Sequence, residues 1–178
     1  MTSKKIFIQS QITVSNSGIV LIGPYIKTLF THLGLLIDNE FKNTETQKKA
    51  ILLLYFITSG NSKVNVNVND ELVLLKILCG IDPSENLQID IELDNIEIKV
   101  VNSMLSSVLN KWNTLSTSTI ESFRENFLNR TGDLTEDDKA YILLVDKKPY
   151  DVLLESLPWE YKSIKLPWMK KIALISWS

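Results

Sequence analysis

His32 and Cys79 are the only histidine and the only cysteine in the chain. Neither has a second His or Cys at ligand spacing, and a zinc site needs three or four protein ligands. A Ser-His-Asp arrangement would have to recruit His32, and the Gly-x-Ser-x-Gly elbow that exposes such a serine is missing. The six glycines form neither a G-x-G-x-x-G nor a Walker loop, so nothing cradles a phosphate. Asp70, Glu71, Asp82, Glu85, Asp90, Glu92, Asp94 and Glu97 concentrate carboxylates, but without the alternation of a calcium loop; they read as a solvated surface. Cys79 closes the apolar stretch 72–79 and reads as a buried, unreactive thiol. These residue types and spacings predict no catalytic residue, no cofactor and no metal.

The C-terminal segment holds the unusual pattern. Trp159, Trp168 and Trp177 recur at every ninth position, and the first two each follow a Leu-Pro pair. Proline fixes its own φ and pushes the residue before it toward extended geometry. Each Leu-Pro-Trp triplet should therefore hold its indole in a defined direction. Two readings stand open: tryptophans packed against the rest of the domain, or anchors for a partner, since aromatic side chains dominate interface hot spots. In the second reading Lys165, Met169 and Lys170 complete a protein-binding patch with the three tryptophans.

The elements that must position these residues follow from periodicity. Ile6, Ile8, Ile12 and Val14 alternate with polar residues, as in a half-buried strand or arm over residues 1–15. Ser17 is a candidate cap. A helix should start at Gly23 or Pro24, because proline is tolerated in the first turn, and end near Gly34. A second helix over about 45–58 carries Ile51–Phe56, apolar on enough sides to be buried on most of them. Residues 61–69 alternate Asn and Val (Val64, Val66, Val68), a short strand or extended loop. Asp70 should cap a third helix ending before Gly80. A fourth, over about 94–112, places Ile96, Val100, Met104, Val108 and Trp112 at a four-residue step. A fifth, over about 118–129, presents Ile120, Phe123, Phe127 and Leu128. Then a β-hairpin around 134–145, a short helix from Pro149 and a last strand, 172–177, are expected. The fold class is α+β: mainly helical, about five helices, with a small antiparallel sheet of the C-terminal strands and the N-terminal strand as a candidate member.

Bulk composition excludes whole classes. With 178 residues, 44% of them hydrophobic and 22% charged, one domain with a sizeable core is expected. A net charge of -2 argues against nucleic-acid binding, which demands a basic excess. No run reaches a membrane span, and Met1–Lys5 lacks a signal peptide's apolar core. A cytoplasmic, reduced protein is expected, without membrane insertion.

Four stretches carry a family resemblance. Gly18-Ile19-Val20-Leu21-Ile22-Gly23-Pro24-Tyr25-Ile26 with Leu33-Gly34-Leu35-Leu36 resembles the opening motif of the C-terminal domain of contractile injection system tape-measure proteins. Leu74–Gly80 resembles the second motif, and Ser122–Leu128 with Gly132 the third. The most specific is Pro149–Leu154 through Leu157-Pro158-Trp159 and Ile164–Met169 to Trp177. The order and spacing hold from about residue 16 to the C-terminus. Glu160-Tyr161-Lys162, between the triplets, departs from the smaller and less polar residues expected there.

The resemblance implies a non-enzymatic assembly module in phage-tail-like particles, whose tape measure sets tube and sheath length. It implies inner tube, baseplate or spike proteins as partners, with self-association or effector cargo also open. The alternative is an adaptor that holds an effector or another particle protein for loading. It implies one globular domain over 16–178, with a helical part (16–130) and a hairpin and Leu-Pro-Trp part (131–178). A compact chain of this length has a radius of gyration of roughly 16 Å, and a fully helical one spans only about 270 Å. The expected role is therefore the globular end of a ruler, residing at the tube or baseplate end of the particle.

Overall fold

A computed structural model describes residues 11–65 and 69–178. Its largest class of element is helical, with five α-helices: α1 (Gly23–His32), α2 (Thr44–Ser59), α3 (Val73–Leu78), α4 (Asn95–Lys111) and α5 (Ile120–Phe123). A 3-10 turn, Ser17–Ile22, feeds α1, and Pro24 sits in that helix's first turn, where its missing N–H costs nothing. α2 is the central helix. Nine of its residues in succession, Ala50 to Thr58, are buried, as its run of large apolar side chains requires. Asn43 caps its start and Gly60, at φ 77°, terminates it, a backbone angle that favours glycine.

Of the acidic stretch, Glu71, Asp82, Glu85, Asp90 and Glu92 are exposed, while Asp94 and Glu97 serve local structure. Asp94 accepts from the Glu97 amide at 2.8 Å and Glu97 accepts from the Asp94 amide at 2.9 Å. This capping box starts α4. Glu97 also pairs with Lys49 at 2.8 Å, tying α4 to α2. Among the described residues no group of three or more metal-ligating side chains converges.

The five-stranded sheet runs β1-β4-β5-β7-β6, from β1 (Ile12–Val14), β4 (Gly132–Glu136), β5 (Ala140–Val145), β7 (Ile172–Trp177) and β6 (Ser163–Ile164). Three of its ladders are antiparallel, as expected. The fourth, β5 with β7, is parallel, so the sheet is mixed. A parallel pair needs a long crossover, and the segment 146–171 provides it with a 3-10 helix (Pro149–Ser156) and β6. Leu143, Val145, Ala173 and Ile175 face the helices; Ile142, Leu144 and Leu174 face outward at 38%, 42% and 44% exposure. The chain is α+β and mainly helical.

Several expectations need correction. Ser17 caps no helix: its hydroxyl donates to the Arg130 carbonyl across the fold. α3 begins at Val73, and the Asp70 side chain lies outside the described residues, as do Ile6, Ile8, Val66 and Val68. On α4 the buried stripe is Val101, Leu105, Val108, Leu109 and Trp112, while Ile96 is 71% exposed. A four-residue step overshoots the helical turn by 40°, so four steps back from Trp112 rotate Ile96 by ~160° to the far side. The fifth helix keeps α geometry only to Phe123, then widens into a π-helical turn, Arg124–Leu128, closed by Asn129 N–H to Arg124 C=O at 2.8 Å.

Candidate docking surface

Helix ends determine where the motif residues go, because the last carbonyls of a helix have no partner within it. α3 accounts for all of its own. The Ile81 and Gly80 amides return to Lys76 and Ile77, with Gly80 at φ 75°, which is the Schellman closure. The Leu78 carbonyl accepts Trp168 Nε1–H at 2.7 Å and the Cys79 carbonyl accepts Gln47 Nε2–H at 2.9 Å. α2 ends the same way. Arg124 donates to the carbonyls of Ile57 at 3.0 Å and Phe56 at 3.3 Å, and Asn129 donates to Thr58 at 2.8 Å. The π turn and the residue that follows it thus supply the side chains that finish α2.

The two Leu-Pro-Trp triplets do matching jobs. Trp159 Nε1–H donates to the Leu21 carbonyl at 2.7 Å. In a 3-10 turn that carbonyl would pair with residue 24, which is proline and brings no N–H. Trp159 meets Tyr25 edge-on at 5.1 Å, and Trp168 packs on Phe41 at 5.0 Å and Phe30 at 5.7 Å. Trp177 lies under Tyr161 and over the Arg130 guanidinium at 5.1 Å; its indole N–H is buried without an acceptor among the described residues. All three tryptophans are half-buried, and they occupy three separate sockets. Of the remaining candidates, Met169 is 3% exposed and its sulfur accepts from the Leu166 amide. Lys165 folds back onto the Met169 carbonyl. Lys170 is exposed.

Arg130 and Asp151 are the pair that sequence reasoning missed. Both guanidinium NH2 groups reach both carboxylate oxygens at 2.7 Å, with the side chains 1% and 4% exposed. Arg130 also donates to the Asp146 carbonyl at 2.6 Å and lies between the Tyr150 and Trp177 rings. Burial alone would raise the Asp151 carboxyl. The Arg130 hydrogen bonds, the Lys148 amide and the Arg130 charge outweigh that and hold it below the ordinary carboxylate value. A bare Asn-Arg-Thr tripeptide gives no hint of this role; the only signal is Asp151 within the Pro149–Leu154 motif, two residues after the proline that starts a helical turn.

Beside this pair a cleft of 710 Å³ opens between the 3-10 helix Pro149–Ser156 and β7, lined by Lys147, Val152, Glu155, Tyr161, Lys162 and Trp177 among others. A shallower groove runs on from it past Pro158 and Trp159. Trp159 and Trp177 therefore border adjoining openings, and Trp168 lines neither. Cys79 is fully buried, which pushes its thiol well above the ordinary value. No described helix is long and apolar enough to cross a membrane.

A family model described as contractile injection system tape measure protein matches residues 3–177, and the chain belongs to that family. No curated protein and no solved structure matches it.

Proposed function

We propose that this member of the tape measure family is a non-catalytic assembly module: the globular C-terminal part of a tape measure, which docks to tube or baseplate components while tube and sheath length is set. The observation that carries this reading is topological. β1 and β7 belong to one five-stranded sheet, so the described chain from Ile12 to Trp177 closes on itself as a single body. A body folded back on itself serves as an end piece and does not span a length. Membership over residues 3–177 makes it a structural component of the particle, and inner tube, baseplate and spike proteins are its proposed partners.

The contact face in this reading is the C-terminal segment. The half-exposed edges of Trp159, Trp168 and Trp177 and the lysines Lys165 and Lys170 meet the partner, with Met169 packed beneath them. The test is a pull-down of the purified chain against separately purified inner-tube, baseplate and spike proteins, with Lys170→Glu and Trp168→Ala alongside. Among the described residues the exposed Lys170 side chain makes no hydrogen bond or ion pair, and only its charge acts on Asp82; circular dichroism checks that both variants are folded. Binding to one component, weakened by Lys170→Glu, supports the docking reading. Retention of a non-structural cargo protein with no structural component bound replaces it with the adaptor reading.

A further inference from the structure

β7 is paired on one side only along its last residues. In a strand, the N–H and C=O of alternate residues point to opposite edges. The Ser178 amide donates to the Val145 carbonyl and its carbonyl accepts from Lys147, so Ser178 faces β5. The Ile175 amide donates to the Lys162 carbonyl at 2.8 Å, so Ile175 and Trp177 face the β6 side. There β6 contributes only Ser163 and Ile164. Continuing that register would set Glu160 opposite Trp177, but the chain leaves the ladder first. The Lys162 amide turns instead to the Glu160 side chain at 2.7 Å, within the tripeptide that departs from the family pattern. Among the described residues nothing pairs with the Ile175 carbonyl or with the Trp177 amide and carbonyl on this side.

Acceptor, donor and acceptor thus stand in a row along one wall of the 710 Å³ cleft, whose lining includes Ile175 and Trp177. The opposite wall offers Val152, 61% exposed. Spaced backbone groups of this kind are matched by another extended backbone, which gains main-chain hydrogen bonds from the edge and side-chain contacts from the walls. Charge decides the occupant's character. Asp151 is neutralised by Arg130. Among the described residues Lys147 and Lys162 form no ion pair, and Glu155 is the one unpaired acid in the cleft lining. Glu160, in the adjoining groove, turns its carboxylate to the Lys162 amide. We propose that this cleft takes an extended, acidic segment of another particle protein as an added strand on β7. The inference rests on the docking reading above and moves the contact to the strand edge beside Trp177.

Two experiments on the whole chain separate this proposal from that reading. The first uses a blocked hexapeptide of alternating Glu and Val, observed through the backbone amide resonance of Trp177. Saturable shifts at up to about 1 mM peptide are expected, lost when every peptide amide is N-methylated and weakened about tenfold by Lys147→Glu with Lys162→Glu. Both lysines are exposed and their side chains make no hydrogen bond among the described residues. Because the Lys147 charge also favours the Asp151 carboxylate, far-UV circular dichroism checks that the double variant is folded, and Lys162→Glu alone should weaken binding in the same direction. The second is hydrogen exchange of the chain in complex with whichever particle component it binds. Protection of the Trp177 amide in that complex supports the proposal. A bound component that leaves Trp177 exchanging freely overturns the strand edge and keeps the docking reading. Peptide binding with no component bound keeps the edge and overturns docking to those parts. No peptide shift and no bound component overturns both.

Discussion

Replacing Trp168 by phenylalanine isolates one hydrogen bond. The six-membered ring stays between Phe30 and Phe41, while the donor that reaches the Leu78 carbonyl at 2.7 Å disappears. A hydrogen bond of this kind contributes about 0.5–1.5 kcal/mol net, and a buried carbonyl left without a partner costs about 1–3 kcal/mol. The Schellman closure of α3 already uses the Gly80 and Ile81 amides on Ile77 and Lys76, so no spare donor takes over. Trp177→Phe is the control. Its N–H has no acceptor among the described residues, so ring area and part of the attraction to Arg130 are lost, about 0.5–1 kcal/mol for the cation–π component. Urea unfolding followed by far-UV circular dichroism, which does not depend on the removed chromophore, should show Trp168→Phe less stable than Trp177→Phe by about 1–2 kcal/mol at unchanged slope. Equal midpoints for the two variants, or the reverse order, would refute the claim that the triplet's indole is a helix cap.

Three further outcomes follow from single contacts. A Cβ on Gly18 would stand 1.6 Å from the Phe127 carbonyl oxygen, backbone against backbone, so Gly18→Ala should leave the chain without a cooperative thermal transition. Arg130→Met strands the buried Asp151 carboxylate and should cost about 3–5 kcal/mol, whereas Arg130→Met with Asp151→Leu removes both charges and should recover most of that in chemical denaturation. Asp151 also sets an acid limb. Its folded carboxyl lies below the ordinary value of about 3.9, so its contribution is complete above that pH and fades as pH falls through the folded value. Stability curves of the wild type and Asp151→Asn, measured from pH 7 down to about 2, should converge on the acid side; parallel curves would remove Asp151 from the explanation.

What the sequence disclosed depended on how local the cause was. β7 was read at its true bounds because alternation needs only the strand itself. α2 was read to within a residue at each end, because Asn43 and Gly60 cap it locally. The hairpin of β2 (Leu36–Ile37) and β3 (Glu40–Phe41) was passed over, although Asp38 and Asn39 at φ 50° and 66° supply the turn; Asp-Asn is a weaker cue than Asn-Gly for two positive φ angles. The π turn was beyond sequence reasoning, since its benefit is collected at the carbonyls of Phe56 and Ile57, in a helix far back along the chain. The Arg130–Asp151 pair was hidden for the same reason. Periodicity reports which face is apolar; it cannot report which distant polar atom a side chain meets.

That distinction bears on where docking occurs. The segments that carry the family resemblance spend their polar groups inside the fold: Trp159 on the turn before α1, Trp168 on α3, Arg124 and Asn129 on α2, Ser17 on the Arg130 carbonyl. Each of these bonds joins parts remote in sequence, so the C-terminal segment and the helical part should unfold together. A side chain whose donor already caps a helix has only its ring edge left for a partner. Along the cleft, by contrast, the Trp177 amide and carbonyl and two lysines have no partner among the described residues, and burying them against a partner that did not pair them would cost free energy. A partner that docks there must therefore bring backbone and negative charge to the same edge. Partner binding weakened by Lys147→Glu and Lys162→Glu but indifferent to Lys170→Glu would locate the contact at the strand edge. The opposite pattern would return it to the Leu-Pro-Trp segment.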